Sequence, residues 1–477
     1  MLMKPGHGAC PNLLLSALLF LFASMAVFAT FNASGIYWDF IAHIFYAKSL
    51  LSPVFYSSLL HGDLFTAINN ANSFYFEPER APLVGLLLIP FVLSNNNFIQ
   101  LYLAFILLLN FFSVWFVSKK IKLNFFLLSL LFFTPFAFLY FVLLNGTELV
   151  SMTLALFGFG LLLDNKWQSG FLFALSSLAK YPSLVFVPLL LLLPHGRKKA
   201  FAAFLITLFP WLMFNFFAFG NPAFSYLYSL GIFSHSGSAL AGAVVSLRLL
   251  FETFDLAIAV LACLLILRLA HKNLSIQTTS KKGEQTFGNS IFKKTSAFLA
   301  LGLFGWLLTL PNGSVDNLPR LVYLIYPGFA LLIGLLISAF AQGISVKVSR
   351  FRARLLPLVL AVLFIFSLGS VFSAYRSNAA VFSSYGYRDP IYASVKSALA
   401  TLGLENCNFV SNDWVYLRYI GIRAHSPFYY NSTIQRYPII AFNSLGVNKS
   451  SINFSNVSVS LNFSGFSVDF PRNYTCK

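Results

Sequence analysis

The chain has 477 residues, of which 58% are hydrophobic and 10% charged, and its mean hydropathy is +0.76. That balance excludes a water-soluble globular class and points to a polytopic membrane protein. The net charge of +18 invites a nucleic-acid partner, but the lysines and arginines form short clusters between apolar runs and no continuous patch. No nucleic-acid partner is therefore expected, and the clusters mark cytoplasmic loops.

In chain order, the apolar run Leu13–Phe31 is long for a signal-peptide core, and no small-residue cleavage site follows it. It reads as a retained first span with a cytoplasmic N-terminus. It delivers a loop, residues 32–82, to the outer face. There, WDFIAHIFYAKSLL predicts a helix in which Asp39 is either the N-cap or a general base at the membrane surface. His43, four residues on, shares its face. Asp63 follows, then Glu77-Pro-Glu79-Arg80-Ala-Pro82. The prolines there forbid a regular helix interior and display either a surface ion pair or an arginine suited to phosphate. Leu83–Leu93 is too short to cross, since a span needs roughly 20 residues, and reads as re-entrant or interfacial.

Phe98–Ser118 crosses to the basic group Lys119, Lys120 and Lys122, and Phe125–Leu144 returns to an outer Asn145-Gly-Thr-Glu148. Thr147 and Glu148 serve there as helix cap and first-turn acid, or Glu148 is functional. Short spans follow at Leu149–Leu163, Gly170–Lys180 and Ser183–Leu193, with Lys180 at an outer boundary as a snorkelling or a functional lysine. Arg197, Lys198 and Lys199 fall inside, ahead of a span at Ala200–Phe219. Val244–Leu269 leads to an inside loop, His271–Lys294. Ala297–Leu310, Leu321–Phe340 and Leu355–Ala374 complete the membrane part, and PNGSVDNLPRLVYLIYP sets Asp316 and Arg320 outside.

The fold class expected is an all-α polytopic membrane bundle of about eleven spans over residues 1–374. Residues 375–477 form a small α/β extracytoplasmic domain, with a helix near Ile391–Leu402 and strands at Asn408–Ser411, Pro438–Phe442 and Val457–Leu461. Ten N-x-[ST] sequons occur. All but Asn273 fall on the outer side, which supports the topology without showing modification. Cys407 and Cys476 lie in the outer region, where a disulfide is permitted; spacing alone does not pair them.

Each charged feature is unspecific alone, yet all belong to outer loops. Their order resembles that of the GT-C class of membrane glycosyltransferases, the protein O-mannosyltransferase and aminoarabinose-transferase-like group. The residues that carry the resemblance are WDFIAHIFYAKSLL, YFEPERAPL, NGTELVSMTLALF and SGFLFALSSLAKYPSLVFVPLLLLL. A late Arg320, Tyr323, Pro327 segment and a C-terminal outer domain complete it. The resemblance implies transfer of a sugar from a polyprenyl-phosphate (dolichyl-phosphate-like) donor to a lipid, glycan or protein acceptor, with inversion. Asp39 would be the base. Arg80, Lys180 and Arg320 would bind the departing lipid phosphate, and Glu77 or Glu148 would position substrate. His43, Glu79 and Asp316 are the further substrate-binding candidates. The chain lacks the adjacent Asp-Glu pair of the protein O-mannosyltransferases. It also lacks the WWDYG-type motif and metal-holding acidic pair of the oligosaccharyltransferases, so no metal and no cofactor beyond the donor lipid are expected. A lipid or sugar transporter or flippase is the alternative, and membrane lipids are expected partners in either case.

Overall fold

The computed structural model describes residues 9–34, 38–52, 80–94, 98–133, 147–227, 282–309, 322–343, 365, 390–411, 413–425, 437–442, 457–472, 474 and 476. Asp63, Glu77, Glu79, Asp316 and Arg320 lie outside them, as do the expected span Val244–Leu269 and most of Leu355–Ala374. The described chain is mostly α-helical, with a small mixed sheet in its C-terminal region. It divides into two compact units, one of Met1–Ala29, Pro78–Val84 and Ile99–Asn378, the other of Thr30–Glu77, Gly85–Phe98 and Ala379–Lys477.

The helices are α1 (Ala9–Ser34), α2 (Trp38–Leu50), α3 (Pro82–Val92), α4 (Phe98–Ile121), α5 (Phe125–Phe133), α6 (Thr147–Leu163), α7 (Ser169–Ala179), α8 (Arg197–Phe219), α9 (Lys282–Thr309), α10 (Tyr326–Gly343), α11 (Pro390–Thr401) and α12 (Trp414–Tyr419). Among the described residues, three helices contain stretches long and apolar enough to cross a membrane: Phe98–Ile121, Arg197–Phe217 and Ser290–Leu308. Shorter apolar helices occupy other expected spans, among them Thr147–Leu163, Ser169–Ala179 and Tyr326–Ser338. On α8, Ile206 is 72% and Phe217 80% exposed. Apolar surface of that kind is costly in water and suits hydrocarbon.

In the first unit α6 is the centre. Small and apolar residues surround it, so it packs on α7, on α9 and on a 3-10 helix, Tyr181–Leu192. Phe298 of α9 stacks on Phe159 of α6 and lies tilted against Phe186 of the 3-10 helix, each with ring centroids 4.7 Å apart. Where side chains are as apolar as lipid, close backbone approach supplies the packing. Gly170 is such a point, because a Cβ there would overlap the Ala200 carbonyl of α8. The 3-10 helix replaces the expected short span Ser183–Leu193. Pro182 falls in its first turn, where an N–H has no ladder partner, and Pro188 sits inside it, so a backbone donor that an α-helical ladder would use is missing at Pro188.

In the second unit the strands are β1 (Asn408–Val410), β2 (Arg423–His425), β3 (Ile439–Phe442), β4 (Val457–Phe463) and β5 (Phe466–Pro471), in the order β2-β1-β3-β5-β4. β1 runs parallel to β2 and β3, and β5 antiparallel to β3 and β4. β4 and β5 join through a tight turn at Ser464-Gly465, where φ of +92° at Gly465 asks for glycine. Cys407 and Cys476 form a disulfide. The C-terminal residues do not make up this unit by themselves. Helix α2 belongs to it and packs on α12, with Phe40, Ile41, Ile44, Tyr46 and Ala47 buried.

Candidate functional site

Glu148 is the second residue of α6 and is fully buried. An isolated carboxylate there would be expensive, and it is matched. The Lys180 ammonium donates to its Oε1 at 2.8 Å, and the Thr147 hydroxyl donates to its Oε2 at 2.7 Å. Thr147 thus serves the carboxylate where helix capping was expected. Lys180 is held by the junction it occupies. It ends α7 and begins the 3-10 helix in an extended conformation, its N–H bonded to Ser176 O at 3.0 Å and its carbonyl accepting from Ser183 N at 3.0 Å. Its side chain is 22% exposed, so the pair sits where the protein interior meets its surroundings.

Below the pair runs a seam of hydroxyls. Ser151, one turn along α6, bonds the Ser176 hydroxyl at 3.0 Å and the Ser183 hydroxyl at 2.6 Å, and Ser183 bonds the Tyr323 hydroxyl at 3.0 Å. Deeper still, the Asn110 amide of α4 donates to Thr153 at 2.9 Å. Tyr181, next to Lys180, donates its hydroxyl to the Arg80 carbonyl at 3.2 Å, and its ring lies 4.4 Å from that of Tyr226.

The structure therefore brings together four of the segments singled out in the sequence: NGTE through Glu148, LAKYPS through Lys180, Tyr181 and Ser183, RLVY through Tyr323, and EPERAP through the Arg80 backbone. Asp39 and His43 are on α2, in the second unit. The helix begins one residue before Asp39, and His43 is buried at 3% exposure. Ser151, Ser176 and Ser183 were not among the expected residues. The signal for them was a serine in each of three apolar segments, which becomes a pattern once those segments are packed together.

The opposite end of α6 is basic. Lys120 of α4 pairs with Asp164 at 2.5 Å, and Lys294 of α9 donates to Leu162 O at 2.9 Å and to Asn165 Oδ1 at 2.8 Å. These lysines offset the negative end of the α6 dipole. A helix of this length separates the two ends by about 25 Å. Among the described residues, no three His, Cys, Asp or Glu side chains are grouped so as to hold a metal ion. Set against known proteins, the chain matches no family model, no curated protein and no solved structure.

Proposed function

We propose that the protein is an integral membrane glycosyltransferase that moves a sugar from a polyprenyl-phosphate donor to an acceptor on the outer face of the membrane. The observation that carries this reading is the meeting of Glu148, Lys180, Tyr181–Arg80 and Ser183–Tyr323 at one end of α6. Those are separated segments of the chain, and the resemblance to GT-C enzymes gives Arg80 and Lys180 the donor phosphate and Glu148 the positioning of substrate. In this account the lysine-rich end of α6 faces the cytoplasm, following the positive-inside bias, and the Glu148–Lys180 end faces outward. The N-terminus is cytoplasmic, about eleven spans cross the membrane, and the C-terminal region is outside. The disulfide between Cys407 and Cys476 fits that oxidising side.

Asp39 accepts the proton of the acceptor hydroxyl, whose oxygen attacks the anomeric carbon from the face opposite the phosphate. The bond from that carbon to the phosphate oxygen breaks, and the configuration inverts. Negative charge grows on the leaving phosphate, and donors preset for it give the largest catalytic term. Arg80, Lys180 and Arg320 supply them. Lys180 donates to Glu148, and Glu148 thereby aims the ammonium. The resemblance leaves His43, Glu77, Glu79 and Asp316 as substrate-binding candidates, with the lipid-linked sugar as donor.

A second reading, transport or flipping of a lipid-linked sugar, draws on the ionised pair buried among apolar helices and the hydroxyl seam beneath it, features that transport paths also use. Photolabelling with a polyprenyl-phosphate sugar separates the two. The enzyme reading expects Lys180→Met and Arg80→Ala to lose both labelling and product, whereas sugar-lipid crossing vesicles with no product formed would favour transport.

A further inference from the structure

Six of the ten sequons fall in the last stretch of the chain, at Asn431, Asn448, Asn453, Asn456, Asn462 and Asn473, and the proposed enzyme uses none of them. Asn462 is the one of these whose surroundings the structure describes. It lies on β4, which is the last strand of the sheet among the described strands. Its side chain is exposed, as are those of Ser460 and of Ser464, the hydroxyl residue of its own sequon. Ser464 sits in the tight turn one residue beyond the strand, so the Asn-Phe-Ser segment is presented at the tip of a hairpin. Val459, on the same strand, is 53% exposed. An edge strand carrying exposed apolar side chains is a template for pairing with another chain unless something blocks it. The disulfide in the same unit fits the oxidising side of the membrane, where N-linked glycans are added.

We propose that Asn462 is an N-glycosylation site and that its glycan shields the edge that β4 forms among the described strands. The co-reactant is a lipid-phosphate-linked oligosaccharide used by the host's glycosylation machinery. The Asn462 amide nitrogen forms a bond to the anomeric carbon, the bond from that carbon to the phosphate oxygen breaks, and the amide gives up one proton while the lipid phosphate leaves. This assignment rests on the outer placement of the C-terminal region and not on the chain's own enzymatic activity.

The test is glycopeptide mass spectrometry on full-length protein from its native host, alongside Asn462→Gln and Ser464→Ala variants. The peptide spanning β4 and β5 is expected to carry hexose-containing mass in the wild type and in neither variant. Both variants, by removing the same glycan through different residues, are expected to form larger species on size exclusion. A bare Asn462 in protein modified at Asn473 or Asn456 would overturn the site. A chain bare at every sequon would overturn it together with the outer placement. A modified Asn462 whose loss leaves the protein equally monodisperse would overturn the shielding role.

Discussion

The asymmetry of the Glu148–Lys180 pair makes a quantitative prediction. Glu148 is fully buried while the Lys180 side chain is 22% exposed. Replacing Lys180 with Met removes the ammonium from a carboxylate that solvent does not reach, a change that costs about 3–5 kcal/mol when a buried pair is broken from one side. Replacing Glu148 with Gln leaves an ammonium that can swing toward water, and costs about 1–2 kcal/mol. The double variant should be more stable than the sum of the single losses implies, with a coupling of about 2 kcal/mol. Unfolding by SDS titration in mixed micelles, read by tryptophan fluorescence, measures all four corners of the cycle. Equal and small losses for the two single variants, adding without coupling, would refute the buried, matched pair.

Tyr323→Phe deletes one end of the hydroxyl seam and should lower stability by about 1 kcal/mol in the same titration. Gly170→Ala drives a methyl into the Ala200 carbonyl; a loss of about 1–3 kcal/mol, seen as reduced yield of folded protein, is expected, and a neutral effect would contradict the α7–α8 approach. Cys407→Ser with Cys476→Ser opens a loop of 69 residues, for which the chain-entropy estimate is about 4 kcal/mol. Limited proteolysis should then cut residues 379–477 faster than the membrane helices.

The long elements were legible because apolar runs are a strong signal. Phe98–Ser118 became α4 ending at Ile121, Ala200–Phe219 became α8 starting at Arg197, and Ile391–Leu402 became α11 at Pro390–Thr401. Three strands were found near their observed positions. β2, three residues reading Arg-Ala-His, is too short to show a period, and β5 was passed over although Phe466, Val468 and Phe470 alternate with Ser467 and Asp469. Pro182 and Pro188 signalled a break in the apolar run but not a 3-10 helix. At the site, Glu148 and Lys180 stood out as charges in apolar surroundings, yet nothing local ties two residues 32 positions apart. That link, like the contacts among Ser151, Ser176 and Ser183, comes from packing. The grouping of α2 with the C-terminal sheet was equally invisible, since it depends on contacts between the start and the end of the chain.

The central claim is tested most directly by giving purified protein in lipid nanodiscs a panel of polyprenyl-phosphate sugars with candidate acceptors, and following polyprenyl phosphate and product together. The account predicts that one donor yields equal amounts of both, with the sugar's anomeric configuration inverted, and that Asp39→Asn abolishes the turnover while leaving the protein folded. Turnover undiminished in Asp39→Asn, or no donor consumed by a folded wild type, would contradict it.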